Sequence, residues 1–323
     1  MDKKYLPLIK AIDAYLKKSD DDLEDIFDDE GRAEPADSID AINRLEGQIT
    51  EALLKESKRI IKELRKHKTL SSLINSSAID DLFSNDLFTD EIKSIMKKEL
   101  GALIPKLVRG YVRFIDKELK INAVSKRTLG WIDQWSGDLA RLMKLSDKET
   151  ITKIIKDGFN YGNDVPSVIR AIQESKIRNE YYKARRVAVT EILRAHNIAK
   201  QEAAEQNPSV SEKMWRHTGA HKNKPRENHV DMDGQRVKVN EPFTLIGRDG
   251  NIYRPMYPAD PSLPPEEAIN CHCIAQDVVD ENILAMPLEE RQRLQREALE
   301  SMDADWEREL NERNKRRAGI LEE

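Results

Sequence analysis

The dipeptide Asn207-Pro208 separates two textures that no single regular fold accommodates. Upstream of it, apolar residues recur every three or four positions over long stretches, the period of helices that bury one face. Downstream, between Trp215 and Cys273, turn glycines, prolines, most of the histidines and both cysteines crowd together. The chain therefore reads as mainly α: an elongated helical N-terminal region, a small C-terminal α+β module and a terminal charged helix.

Four segments follow. Residues 1–150 read as a helical region with an acidic loop at 20–35, and 151–207 as a helical hairpin leading into the module. Residues 208–282 form the α+β module and 283–323 the charged C-terminal helix. Within the first segment a helix is expected over 1–19, followed by the run Asp20 to Glu30, whose eight carboxylates repel one another as a solvated loop or meet a basic partner. Further helices are expected near 38–67, 90–119 and 122–144, the last placing Trp131 and Trp135 on one face. Ser146 and Glu149 have capping-box spacing and predict a new helix start. Gly158 and Gly162 predict its end, and Asp164 with Pro166 opens the next helix. The clearest helix runs from Ile177 to Gln206, with a seam of Ile177, Tyr181, Ala184, Ala188, Ile192, Ala195, Ala199 and Ala203 whose small residues permit close packing.

Beyond Pro208 the expected elements are short. Lys213–His217, Gln235–Val239 and Pro242–Ile246 fit strands, and Gly247-Arg248-Asp249-Gly250 fits a hairpin loop leading into Ile252 and Tyr253. A proline-rich loop covers 257–265, a helical turn 266–269, and a last strand carries the cysteines.

Charge and cysteine usage limit the function classes. The net charge of −5 argues against bulk non-specific attraction to nucleic acid, which clustered Lys and Arg supply. One such cluster exists: Lys55, Lys58, Arg59, Lys62, Arg65 and Lys66 near the end of the second helix, read either as complements to the helix dipole or as a contact for DNA. No apolar run approaches the ~20 residues needed to span a bilayer, so no membrane partner is expected. Cys271 and Cys273 are one residue apart, too close for an unstrained disulfide, and read as reduced thiols.

Two thiols on one face, with imidazoles from His229, His217 or His221, are the donors a tetrahedral structural zinc takes. The alternative is that the cysteines pack as small hydrophobes and the histidines bond to loop backbone, with no cofactor at all. An enzyme reading recruits His229 as general base beside Asp231, Asp233 or Glu227, with Arg226 holding a phosphate; no spacing forces these residues together. Phosphate-binding Gly-rich loops, a Gly-x-Ser-x-Gly elbow and His-Glu-x-x-His are absent from the sequence, so the chain is read as a non-enzyme, with a metal-dependent hydrolase or nuclease as the alternative.

The ordered series Trp215, Arg226, His229, Asp233-Gly234, Phe243, Tyr257-Pro258 and Asn270-Cys271-x-Cys273 resembles the Mu F-like domain of tailed-phage minor head proteins, also called head morphogenesis proteins. Thr190-Glu191, in a long alanine-rich helix, is similar to the helix preceding that domain. The resemblance covers roughly 150–280; His272 stands where family members commonly carry Arg. It implies that Trp215, Arg226, His229, Asp233, Gly234, Tyr257, Asn270, Cys271 and Cys273 define the module. It also implies a low-copy component of the phage head interior, made in the host cytoplasm. Such a protein binds portal and other head components, the major capsid or scaffolding protein, during procapsid assembly, and contacts double-stranded DNA during packaging or ejection. Related domains occur fused to toxins; here a charged helix follows the module.

Overall fold

The computed structural model describes residue 27 and residues 31–74, 76–218, 225–269 and 271–317, excepting the side chains of 76–77, 175–181 and 317. The expected helix at 1–19, the acidic run apart from Phe27, and His221 and Asn270 lie outside the described residues. Among the described residues, five α-helices lie upstream of the module: α1 (Pro35–Leu64), α2 (Ser76–Leu82), α3 (Leu87–Ile115), α4 (Lys126–Asn160) and α5 (Val165–Gln206). After them come β1 (Val210–Arg216), α6 (Glu227–Asp231), β2 (Arg236–Lys238), β3 (Leu245–Ile246), β4 (Ile252–Tyr253), α7 (Pro265–Ala268), β5 (Ile274–Val279), α8 (Glu281–Leu284) and α9 (Leu288–Arg317). The protein is thus mainly α with a small α+β module.

Three expectations for the helices are corrected. α4 passes without interruption through Ser146, where a new start was expected: the stretch Leu145 to Lys148 contains no Gly or Pro, and Thr150 Oγ1 donates to the Ser146 carbonyl at 2.9 Å as an ordinary helical back-bond. Gly158 lies inside α4, where a Cβ would sit 2.3 Å from Val168 Cγ2, so it serves close packing; the left-handed residue that ends the helix is Gly162 at φ +69°. The helix expected from Asp164 and the one expected over 177–206 are a single helix, α5. Its start is as read, with Asp164 Oδ1 accepting from Ser167 N at 2.8 Å. Ala184, Ala188, Ile192, Ala195, Ala199 and Ala203 are all buried, and the side chains of Ile177 and Tyr181 are outside the description. The helices α2, α6 and α8 were not anticipated.

The chain forms two compact units that interleave along the sequence. One is assembled from Asp40–Glu99 and Ile132–Val189 among the described residues. Its core joins Ile60 and Leu64 of α1, Leu82 of α2, Ile151 and Ile155 of α4, and Val168 and Ile172 of α5. The α1 contribution follows from buried Ile42, Leu45, Ile49, Leu53, Ile60 and Leu64, spaced to fall on one helical stripe.

The other unit holds the described residues of Asp22–Ile39, Leu100–Trp131 and Thr190–Glu323. His196 is fully buried there; Ser38 Oγ gives its proton to the Glu34 carbonyl and so accepts from His196 Nε2 at 2.8 Å, while Tyr111 Oη donates to Nδ1 at 2.7 Å. Burial, then the nearby Arg32 and Lys200 charges, push the imidazole well below its usual pKa, so it stays neutral. α9 begins against this unit: Arg291 Nε donates to Asp116 Oδ2 at 2.8 Å and Nη2 to Glu118 Oε2 at 2.6 Å.

In the module β1 is the central strand of an antiparallel sheet ordered β2-β1-β5, and β3 pairs with β4 as a separate hairpin. The hairpin loop at 247–250 forms as read. The strand expected over 242–246 shrinks to β3: Phe243 N still donates to the Pro255 carbonyl at 2.8 Å in register with the β3–β4 pair, but Pro255 has no N–H to return the bond, and Thr244 N goes to Gln235 Oε1 at 2.8 Å. The cysteines precede the last strand, which begins at Ile274.

Candidate metal centre

β1 delivers Trp215 to the middle of the module, where its fully buried indole meets the His229 ring edge-on at 5.7 Å and the Phe243 ring at 5.3 Å. The turn after α6 folds back on this strand: Gly234 N donates to the Trp215 carbonyl, and Trp215 N to that of Gln235, both at 2.8 Å. Gly234 sits at φ +85°, which only glycine adopts without strain. Beside it, Asp233 Oδ1 accepts from His217 N at 2.9 Å, so the Asp-Gly turn fixes where His217 leaves the sheet.

α6 is little more than one turn, started by the Arg226 carbonyl accepting from His229 N and Val230 N. Its inward face places His229 and Met232 in the core, while Glu227, Val230 and Asp231 are exposed. The Arg226 side chain donates to the Glu266 carbonyl at 2.8 Å and the Ile269 carbonyl at 2.5 Å, tying the chain just before the cysteines to α6. This guanidinium thus clamps the loop before the cysteines.

The short helix α7 starts on Pro264, whose carbonyl accepts from Glu267 N and Ala268 N, and it turns Glu267 into the core. Glu267 Oε2 lies 2.9 Å from His229 Nε2, and Oε1 accepts from Arg248 N in the hairpin loop at 3.0 Å. Burial pushes this carboxyl up, but the Arg248 N–H, the Asn228 amide and the His229 ring more than offset it and hold the pKa below the usual value. A carboxylate only accepts, so Nε2 carries the ring proton and the Nδ1 lone pair points the other way.

That lone pair faces both thiols: Nδ1 is 3.5 Å from Cys271 Sγ and 3.7 Å from Cys273 Sγ. The three donor atoms lie within 4.8 Å of one another, and all three residues are buried. His217 Nδ1 stands 3.6 Å from Cys273 Sγ. A hydrogen bond from Cys273 holds the Cys271 thiol well below its usual pKa; the same bond and burial push Cys273 well above. The His272 carbonyl between them is fixed by Thr218 Oγ1 and Arg32 Nη2, both at 3.0 Å.

The structure therefore gathers Trp215, Arg226, His229, Asp233, Gly234, Cys271 and Cys273 around one point. Tyr257 lies in the proline-rich loop, which α5 holds from beneath. Asn197 Nδ2 donates to the Pro258 carbonyl and Arg194 Nε to that of Ala259, both at 2.8 Å, and Glu191 pairs with Arg194. This gives the buried Thr190-Glu191 step its physical role. Glu267 was missed: a glutamate after two prolines looks like an ordinary acidic first turn, and nothing in the spacing marks it as buried.

Lys213 of β1 was also missed. Its Nζ donates to the Met256 carbonyl at 2.8 Å and Gln201 Oε1 at 3.0 Å, and burial lowers its pKa to about 8. Below pH 8 both folded and unfolded chains hold this proton; between about 8 and the ordinary lysine value of 10.5 the unfolded chain holds more, so stability rises with pH. Relative to Lys213→Met, the wild type should gain about 3 kcal/mol across that window in pH-resolved denaturant melts. A difference that stays constant with pH would contradict the assignment.

Residues 149–276 match the family described as Phage Mu protein F like protein. The chain is similar to the uncharacterized protein YqbB of Bacillus subtilis (strain 168), 34% identical over 223 residues, 69% of this chain and 72% of that protein. It is also similar to the NAD(+)–arginine ADP-ribosyltransferase EFV of Enterococcus faecalis (strain ATCC 700802 / V583), 29% identical over 150 residues, 43% of this chain but 28% of that protein. No solved structure matches the chain.

Proposed function

The chain belongs to the phage Mu protein F-like family, and we propose that it acts as a minor head protein of a tailed phage, binding the portal and other head components while the procapsid assembles. The observation that carries this reading is the family match over 149–276, which takes in α5, the proline-rich loop it holds and the cysteine loop. The head interior, reached by way of the host cytoplasm, is the proposed location. Among the described residues no helix is long and apolar enough to cross a membrane.

The geometry favours assembly over the hydrolase or nuclease alternative. A general base needs a ring nitrogen open to water, and His229 is 1% exposed with Nε2 facing Glu267 and Nδ1 facing the sulfurs. Asp233 is engaged with His217 N and Arg216. Co-expression of the tagged chain with the portal protein of the same phage tests the reading: portal should co-purify, and its absence together with that of every other head protein would refute it.

The basic cluster supports a narrower DNA contact than the sequence suggested. Lys55 pairs with Glu51 and Glu91, Arg59 with Glu56, and Lys66 with Glu63. Lys58, Lys62 and Arg65 are exposed, make no ion pair among the described residues, and fall at i, i+4 and i+7 on one stripe. If this stripe meets the DNA backbone, replacing all three by Gln should lower the slope of log affinity against log salt by about 2–3 in filter-binding titrations. An unchanged slope would exclude the stripe.

A further inference from the structure

We propose that Cys271, Cys273 and His229 bind one zinc ion as a structural cross-link of the module, with His217 closing the fourth corner and Glu267 as the residue that positions His229. Zinc with Zn–S of ~2.3 Å and Zn–N of ~2.0 Å in a tetrahedron separates a sulfur from a nitrogen ligand by about 3.5 Å. His229 Nδ1 stands 3.5 and 3.7 Å from the two sulfurs, and His217 Nδ1 stands 3.6 Å from Cys273 Sγ but outside the group of three mutually close donors, so it must move inward to complete the set. Hydrogen bonding alone accounts poorly for that convergence: His229 Nδ1 has one lone pair and two sulfurs aimed at it, whereas a cation between them satisfies all three donors.

The surroundings are those of a metal ligand set. The Glu267 carboxylate holds the proton on His229 Nε2, fixing the tautomer that leaves Nδ1 free to coordinate, the arrangement that orients metal-bound histidines. The indole N–H of Trp215 is buried with no conventional acceptor, and its electrostatic partner is the Cys273 sulfur, a thiolate once metal displaces its proton. Two sulfurs with two imidazoles select zinc over magnesium or calcium, which take oxygen ligands. With both cysteines and His229 buried, the site resembles the closed structural class rather than the open catalytic one. Binding releases the thiol protons of Cys271 and Cys273 and joins α6 to the loop before β5, elements otherwise tied by the Arg226 clamp.

The experiment uses the full chain expressed with zinc and desalted without chelator. Metal analysis should give about one zinc per chain, and both thiols should resist a thiol reagent until chelator is added. A metal-free protein whose thiols react alike with and without chelator overturns the proposal. Because Cys271→Ser with Cys273→Ser alters two buried core side chains as well as the ligands, cobalt substitution of the wild type assigns the ligands: the intense visible bands of a tetrahedral site with a sulfur-to-cobalt charge-transfer band are expected, and a weak octahedral spectrum lacking that band refutes it. Glu267→Gln should bind zinc about 10–100-fold more weakly at unchanged stoichiometry, read by competition with a chelating dye. Wild-type affinity in that variant removes Glu267 from the account, and wild-type affinity in His217→Ala removes the fourth ligand.

Discussion

Trp215→Ala is expected to destabilise the module by about 3–5 kcal/mol, the range for deleting a large aromatic from a closed core. The indole is 0% exposed and stands edge-on to both His229 and Phe243, so its removal opens a cavity between α6 and the loop leading into β3. Trp215→Phe keeps most of the packing and should lose less than half as much. The two variants are compared by urea denaturation followed by circular dichroism. Equal small losses in both would mean that the core rests elsewhere than on this side chain.

A comparable loss is expected from Glu202→Ala, for an electrostatic reason. Glu202 is 1% exposed on α5 and accepts four hydrogen bonds: from Ser125 N, Ser125 Oγ and Thr128 Oγ1 at the start of α4, and from Gln206 Nε2. Ser125 Oγ in turn accepts from Thr128 N at 3.2 Å, so one carboxylate organises the whole helix start. Removing it strands buried donors, and a cost of about 3–5 kcal/mol is expected. Hydrogen exchange should show the amides of residues 125–129 losing protection first. Unaltered protection there, with a stability change below about 1 kcal/mol, would contradict the role given to Glu202.

What was legible in the sequence was periodic or steric. The alanine seam of α5, the Asp164 cap, the Gly247–Gly250 hairpin and the Asp233-Gly234 turn all follow from rules that act within a few residues, and each is present. The Cys-x-Cys pair and His229 were singled out because their chemistry is rare in this chain, and the fold brings them together. The errors arise where tertiary context decides. A capping-box pattern at Ser146 has no force where Met143 and Ile151 are buried on either side of it in one continuous α4, and the strand around Phe243 is shortened because the facing Pro255 has no N–H to return the bond. Glu267, Lys213 and Glu202 are charged residues that sequence patterns assign to the surface; burial with several fixed partners is visible only in three dimensions.

The central claim, that this chain is a head-assembly component, is tested most directly by the protein composition of purified procapsids from cells producing the phage that encodes it. Quantitative mass spectrometry should find the chain in portal-containing procapsids at low copy, and should find it reduced there when Trp215→Ala replaces the wild type. Procapsids that lack the chain, yet mature into fully infectious particles when its gene is deleted, would contradict the account.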